Sequence, residues 1–124
     1  LKNDYSEVKL WSYPSGRFEP TGLQFCGLVM GDHSKAGINT MFNTGTVVGV
    51  ACNIFGAGFP RNFIPDFSWG GPQGMTEYRL DKVLATTERV LTRRGRSLEQ
   101  TTTDILSEIF AQTASLRTGT AIAQ

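Results

Sequence analysis

The sequence predicts an all-β core, a left-handed parallel β-helix built on hexapeptide repeats, followed by an extended loop and two C-terminal α-helices. Three observations over residues 28–59 carry the core. Read with a step of six, Met30, Ala36, Phe42, Val48 and Ile54 form an apolar column, and Gly31, Gly37, Asn43, Gly49 and Phe55 form the column just after it. Two places before the apolar column stand Leu28, Ser34, Thr40, Thr46, Cys52 and Gly58, nearly all of them small. Neither the helical period nor strand alternation produces three such columns, whereas hexapeptide repeats belong to β-helices. The apolar column is expected to fill a prism-shaped core whose corners take the small residues. A Gly or Asn after each apolar residue suits a corner at positive φ, and Phe55 is the one break.

Three hexads close one triangular coil, so residues 18 positions apart are expected to stack: Met30 under Val48, Ala36 under Ile54, Ser34 under Cys52, Gly31 under Gly49. The visible hexads complete fewer than two coils. A solenoid repeat cannot bury its apolar face alone, which implies upstream coils, a C-terminal cover or partner subunits. The chain opens on Leu1 and its repeats begin abruptly, so the expectation is the C-terminal fragment of a longer polypeptide.

Residues 1–59 thus read as the last coils, with an excursion at about 5–22. Within it VKLWSY alternates β-formers with polar residues, and Pro14-Ser15-Gly16 is a turn signal before Arg17-Phe18, predicting a short hairpin with an exposed tip. Residues 60–79 change character. Pro60, Pro65 and Pro72 argue against a regular helix or a central strand, leaving an extended segment that displays Phe59, Phe63, Ile64, Phe67 and Trp69. Those groups need a cover, the wall of the core or of a neighbouring subunit, or else they form a stacking platform for a base or sugar.

Residues 80–117 read as a helical pair. Leu80, Val83, Leu84, Val90 and Leu91 recur with helical spacing between Asp81 and the Arg93-Arg94-Gly95 stop, predicting a helix over 81–94. Ser97 with Gln100 resembles a capping box, and Leu98, Ile105, Leu106, Ile109, Phe110 and Leu116 mark the apolar face of a second helix. Residues 118–124 carry neither charge nor periodicity and are expected to fray.

Among 124 residues, 12 basic and 11 acidic side chains leave a formal charge of +1, so no nucleic-acid and no membrane partner is expected and function must come from sites. Cys26 and Cys52 are too few for a disulfide framework or a zinc set and read as reduced, structural residues of a cytoplasmic protein. No long apolar run exists, and LKNDYSEVK lacks the layout of a signal peptide.

The run GDHSKAGINTMFNTGTVVGVACNIFGAG resembles the left-handed β-helix acyltransferase superfamily, and most of all the late coils of the acetyltransferase domain of GlmU-type enzymes. Together with GLQFCG and FIPDFSWGG it is similar to the C-terminal halves of GlmU-like sugar nucleotidyltransferases, over roughly residues 1–71. That resemblance implies a homotrimeric transferase joining a sugar-1-phosphate nucleotidyltransferase domain to an acetyltransferase-like β-helix. It implies a sugar phosphate or nucleotide sugar as substrate, and Mg2+ only in the upstream domain. The family's catalytic His would lie upstream of Leu1. Its acetyl-CoA contacts would map to corner positions Ile38 and Asn39 and, one coil later, Gly56 and Ala57. Ile38 departs from the small polar residue that position normally carries, which opens an alternative: a non-catalytic trimerisation module with acetyl transfer lost.

His33 is the only histidine and the candidate general base, with Asp32 as orienter. Neighbours on an extended chain point in opposite directions, so an outward or interface histidine is the competing reading. One histidine per chain also excludes the zinc site of γ-type carbonic anhydrases, which share the predicted fold and need two from one chain. Arg89, Arg93, Arg94 and Arg96 suit phosphate oxygens, yet a helix C-terminus favours cations in any case.

Overall fold

The computed structural model describes residues 4–118. Its elements are β1 (Lys9–Ser12), β2 (Arg17–Pro20), β3 (Val29–Met30), β4 (Lys35–Ala36), β5 (Val47–Val48), β6 (Asn53–Ile54), β7 (Phe63–Ile64), β8 (Ser68–Gly71), β9 (Gly74–Glu77), α1 (Leu80–Arg93), α2 (Gln100–Gln112) and α3 (Ala114–Thr118). They form an antiparallel pair β1-β2, a parallel sheet β3-β5-β7 and a mixed sheet β4-β6-β8-β9.

This is a small mixed α/β arrangement, and it corrects the all-β left-handed β-helix expected from the hexads. The local stacking is present: Met30 pairs with Val48 and Ala36 with Ile54, each 18 positions on. The spacing does not propagate. The next pairs are Val48 with Ile64 and Ile54 with Gly70, each 16 positions on, so the period is lost after one repeat. The chain then doubles back through β9, antiparallel to β8. Helices, not further coils, complete the core. The physical reason is the one that limits short solenoids: so few repeats leave an apolar face that must be covered by something else.

Two apolar clusters result. Val48, Cys52, Ile54 and Ile64 form the first, with Phe42 and Met75 packed against them. Ala51, Phe67, Val83 and Leu106 form the second, where α1 and α2 cover the corner after β5 and the segment before β8. Phe67 and Ile64 are fully buried, each contributing roughly 1.5–3 kcal/mol relative to exposure. The small column does more than fill corners. The Ser34 hydroxyl donates to the Gly49 carbonyl (2.6 Å) and accepts from the Cys52 amide (2.9 Å), and the Thr46 hydroxyl donates to the Asn43 carbonyl (2.7 Å).

The predicted hairpin is present as β1 and β2 in register Lys9 with Pro20 to Ser12 with Arg17. Its tip, Pro14 to Gly16, is exposed as expected, while the strand leading to it is docked: Trp11 stacks on Phe63 at 4.2 Å and the Tyr13 hydroxyl donates to Asp66. The proline-rich segment holds strands after all. Pro60 and Pro65 bracket β7, an edge strand, and Pro65 and Pro72 bracket β8, which lies between β6 and β9. No proline occupies the ladder itself, so the expected exclusion of a central strand does not apply to Ser68–Gly71. Phe63, Ile64 and Phe67 are covered, while Phe59 and Trp69 stay exposed.

Helix α1 sits where periodicity predicted it, within one residue at each end. The expected capping box at Ser97 and Gln100 is corrected: Glu99 is the N-cap of α2 and makes no side-chain capping bond. The single second helix is also corrected, since it divides at Thr113 into α2 and α3. The tail expected to fray lies outside the described residues beyond Thr118.

Candidate functional site

The candidate cofactor positions fall in two turns at the same end of adjacent strands. Ile38 and Asn39 follow β4, Gly56 and Ala57 follow β6, and β4 pairs with β6 in parallel. Asn39 takes φ 63 and Gly56 φ 112, as corner residues do. The Ala57 carbonyl accepts from the Gln73 side-chain amide at 3.0 Å. Ile38 is 96% exposed, so an apolar side chain stands in solvent where the resemblance asks for a small polar one.

His33 is half-buried at φ 63 in the turn between β3 and β4. It lines a cavity of about 410 Å3 with Ser97, Glu99 and Thr102 from the α1-α2 connection and α2. Asp32, the expected orienter, is exposed, and its carbonyl accepts from the Ala51 amide (2.9 Å). Among the described residues no hydrogen bond joins His33 to Asp32, Ser97 or Glu99, so the nucleophile-base-orienter chain that acid-base catalysis requires is not assembled here. Arg89, Arg93, Arg94 and Arg96 are exposed at and beyond the C-terminal end of α1. No group of three His, Cys, Asp or Glu residues among those described is placed to hold a metal ion.

A different feature dominates the surface. β3 and β4 are the first strands of their sheets, and the core column is half-finished there: Val48 and Ile54 are buried, while Met30 and Ala36 beside them are exposed. A parallel strand alternates its bonds between its two sides. Val29 and Gly31 donate inward to Thr46 and Val48, and Lys35 and Gly37 donate inward to Cys52 and Ile54, which turns the backbone of Met30 and Ala36 to the open edge. Around that edge Leu28, Val29, Met41 and Ile38 are also exposed, and Phe25 meets Tyr5 edge-on at 6.1 Å nearby in sequence. An open edge beside so much apolar surface is a pairing template.

One polar cluster is interior. Asp66, 4% exposed, accepts from the Tyr13 hydroxyl and the Val50 amide, both at 2.8 Å. Only glycine fits beside it: a Cβ on Gly49 would lie 2.6 Å from the Asp66 carboxyl carbon. Cys52 donates its thiol to the Pro65 carbonyl at 3.1 Å. Burial, with the Asp66 charge adding to it, pushes that thiol from 9.0 up to about 11. Burial and then Asp66 likewise push the Tyr13 phenol upward. A thiol so raised is a poor nucleophile at neutral pH, and the cluster is structural.

Those shifts set an alkaline limit. A folded-state value above the unfolded one gives stability that is complete below the unfolded value and is lost as pH rises. For Cys52 the loss runs from pH 9.0 to about 11 and amounts to about 2–3 kcal/mol at roughly 1.4 kcal/mol per unit. Urea midpoints are therefore expected to be level up to about pH 8 and to fall steeply above pH 9. In Cys52→Ala the fall is shallower, and an identical slope would contradict the assignment.

Sequence reasoning named Trp69 but missed Tyr78, Lys82 and Thr86 around it, as well as Asp66 and the buried Arg117. The helical spacing of Lys82 and Thr86 was a usable signal, because residues four apart share a face. Comparison with protein-family models, curated proteins and solved structures finds no match to this chain. No helix among the described residues is long and apolar enough to cross a membrane.

Proposed function

We infer that this chain is an assembly module of a sugar-phosphate transferase of the GlmU-like kind its motifs resemble, supplying shape and an interface rather than catalytic groups. In this reading it associates as a homotrimer, and the sugar nucleotidyltransferase chemistry belongs to the larger protein. The observation that carries it is the unfinished core at β3 and β4, where Met30 and Ala36 lie open beside the buried Val48 and Ile54. Closing that edge with a second chain removes apolar surface from water and satisfies edge backbone groups together. Ile38 standing in solvent at the corner after β4, and His33 with no hydrogen bond to Asp32, support structure over acetyl transfer.

Light scattering at micromolar concentration is expected to return a trimer, and a monomer overturns the reading. Met30→Lys sets a charge in the apolar edge and is expected to weaken association at least tenfold, about 1.4 kcal/mol or more. Calorimetric titration with acetyl-CoA supplies the opposite arm. Saturable heat that disappears in Gly56→Val favours an acetyltransferase and removes the non-catalytic part of the proposal.

A further inference from the structure

Trp69 is the one exposed residue of β8, at 40%, while Ser68, Gly70 and Gly71 around it are buried. Its indole borders a cleft of about 400 Å3 between the β8-β9 ladder and the start of α1. Tyr78 stands beside it at 4.9 Å and 66°, and Phe55 at 5.6 Å and 73°. Both neighbours meet the indole edge-on, so neither lies stacked upon it. Polar groups ring this aromatic floor. Thr76 comes from β9, Lys82 and Thr86 from successive turns of α1, and Arg79 from the residue before the helix.

The charges are unequally engaged. Glu77, the acidic residue of the cleft, is drawn to Arg117 at 3.0 Å, and Arg79 reaches Asp81 at 2.9 Å in an exposed pair. Lys82 makes no side-chain hydrogen bond or ion pair among the described residues, leaving its ammonium available at the cleft mouth. An apolar floor with a few convergent polar groups, in this size range, is how small-molecule sites are built. Aromatic rings stack on the faces of bases and sugars alike, and Lys meets phosphate as a point charge.

We propose that this cleft binds a phosphorylated ring compound of nucleoside monophosphate or hexose phosphate size, its ring on Trp69 and its phosphate at Lys82 and Arg79. Thr76 and Thr86 line the same cleft, their hydroxyls at 3.5 Å from the Trp69 carbonyl and the Tyr78 hydroxyl. The site lies on β8, β9 and α1, two strands from the open edge of β4, and it stands whether or not the chain associates.

Titration followed through the two tryptophan indole N–H signals tests it, since only Trp11 and Trp69 contribute. The probes are uridine 5′-monophosphate, glucose 1-phosphate, uridine and inorganic phosphate. The expected result is a saturable shift of the Trp69 signal with at least one ring phosphate, at least about tenfold tighter than with inorganic phosphate or uridine, while Trp11 stays still. Which ring phosphate saturates first distinguishes base from sugar. Lys82 is exposed, so Lys82→Ala and Lys82→Glu keep the fold. The first is expected to weaken binding about fivefold and the second to abolish it. The proposal is overturned by no saturable shift at about 10 mM of either ring phosphate, by equal affinity for inorganic phosphate, or by unchanged affinity in Lys82→Glu.

Discussion

Gly71→Ala is expected to leave the chain largely unfolded. A Cβ at Gly71 would sit 1.7 Å from the Phe55 carbonyl oxygen and 2.9 Å from its carbon. Both are backbone atoms in the tight approach of β6 to β8, where the Phe55 amide donates to the Gly70 carbonyl at 3.0 Å. No side chain can swing away, so the strands must part. Parting them opens the ladder between Asn53-Ile54 and Trp69-Gly70 and loosens Met75 from the first apolar cluster. Overpacking that backbone cannot relieve costs about 3 kcal/mol or more, a large share of the stability of a small domain. Gly16→Ala is the control. Gly16 holds φ 67 in the open hairpin turn with nothing within 4 Å, so only backbone strain of about 1–2 kcal/mol is expected. Urea unfolding followed by circular dichroism separates the two, and a Gly71→Ala midpoint at or above that of Gly16→Ala contradicts the account.

Arg117→Ala carries the next largest effect. The guanidinium is 4% exposed as a residue and ties three elements together. Its Nε donates to Glu77 Oε2 at 3.0 Å, and its two Nη groups donate to the Asp66 and Phe110 carbonyls and the Thr113 hydroxyl, at 3.2, 2.7 and 2.7 Å. It also lies 4.3 Å over the Phe110 ring and 5.6 Å from that of Phe67. The Phe110 carbonyl is among those at the end of α2 that find no partner within the helix, and a cation there meets the negative end of the dipole. Removal strands two carbonyls and opens a cavity beside Phe67. Breaking buried pairs costs 3–5 kcal/mol, but Glu77 is 44% exposed and rehydrates, so about 3 kcal/mol is expected. Arg117→Lys recovers only part, because a point charge cannot reproduce the fork. Hydrogen exchange should accelerate first in α2 and α3, and protection there equal to wild type in Arg117→Ala removes this role.

How far each feature was legible follows from how local its cause is. The hairpin was readable because Pro14-Ser15-Gly16 is turn chemistry within a few residues of the strands it joins. Helix α1 was readable because Leu80, Val83, Leu84, Val90 and Leu91 recur at helical spacing, and burial of Val83 follows from that face. The six-residue columns correctly paired Met30 with Val48 and Ala36 with Ile54, a relation one repeat long. They were extended too far into a solenoid, because periodicity over so few repeats says nothing about what covers the open face. The division of the second helix at Thr113 has no strong local breaker to announce it.

The candidate site was less legible. Ile38, Asn39, Gly56 and Ala57 came from motif likeness, and they share one end of two paired strands without a side chain that marks a ligand. His33 shares a cavity with Ser97 and Glu99 only because the α1-α2 connection folds back over the turn after β3, a proximity between positions far apart in the chain. The same holds for Asp66 with Tyr13, and for Trp69 with Lys82 and Thr86.

By itself the sequence determined the local pieces: the hairpin and its turn, the first helix, the pairing of hexads one repeat apart, and a charge too near zero for general attraction to polyanions. Tertiary structure alone decided that helices rather than more coils close the core, that β8 is an interior strand, that Asp66 and Arg117 are buried anchors, and that Trp69 stands open beside Lys82. The reason is range. Turn and period signals act over a few bonded residues, whereas which apolar face covers which is settled by long-range packing, and alternatives of similar hydrophobic gain are separated only by three-dimensional fit.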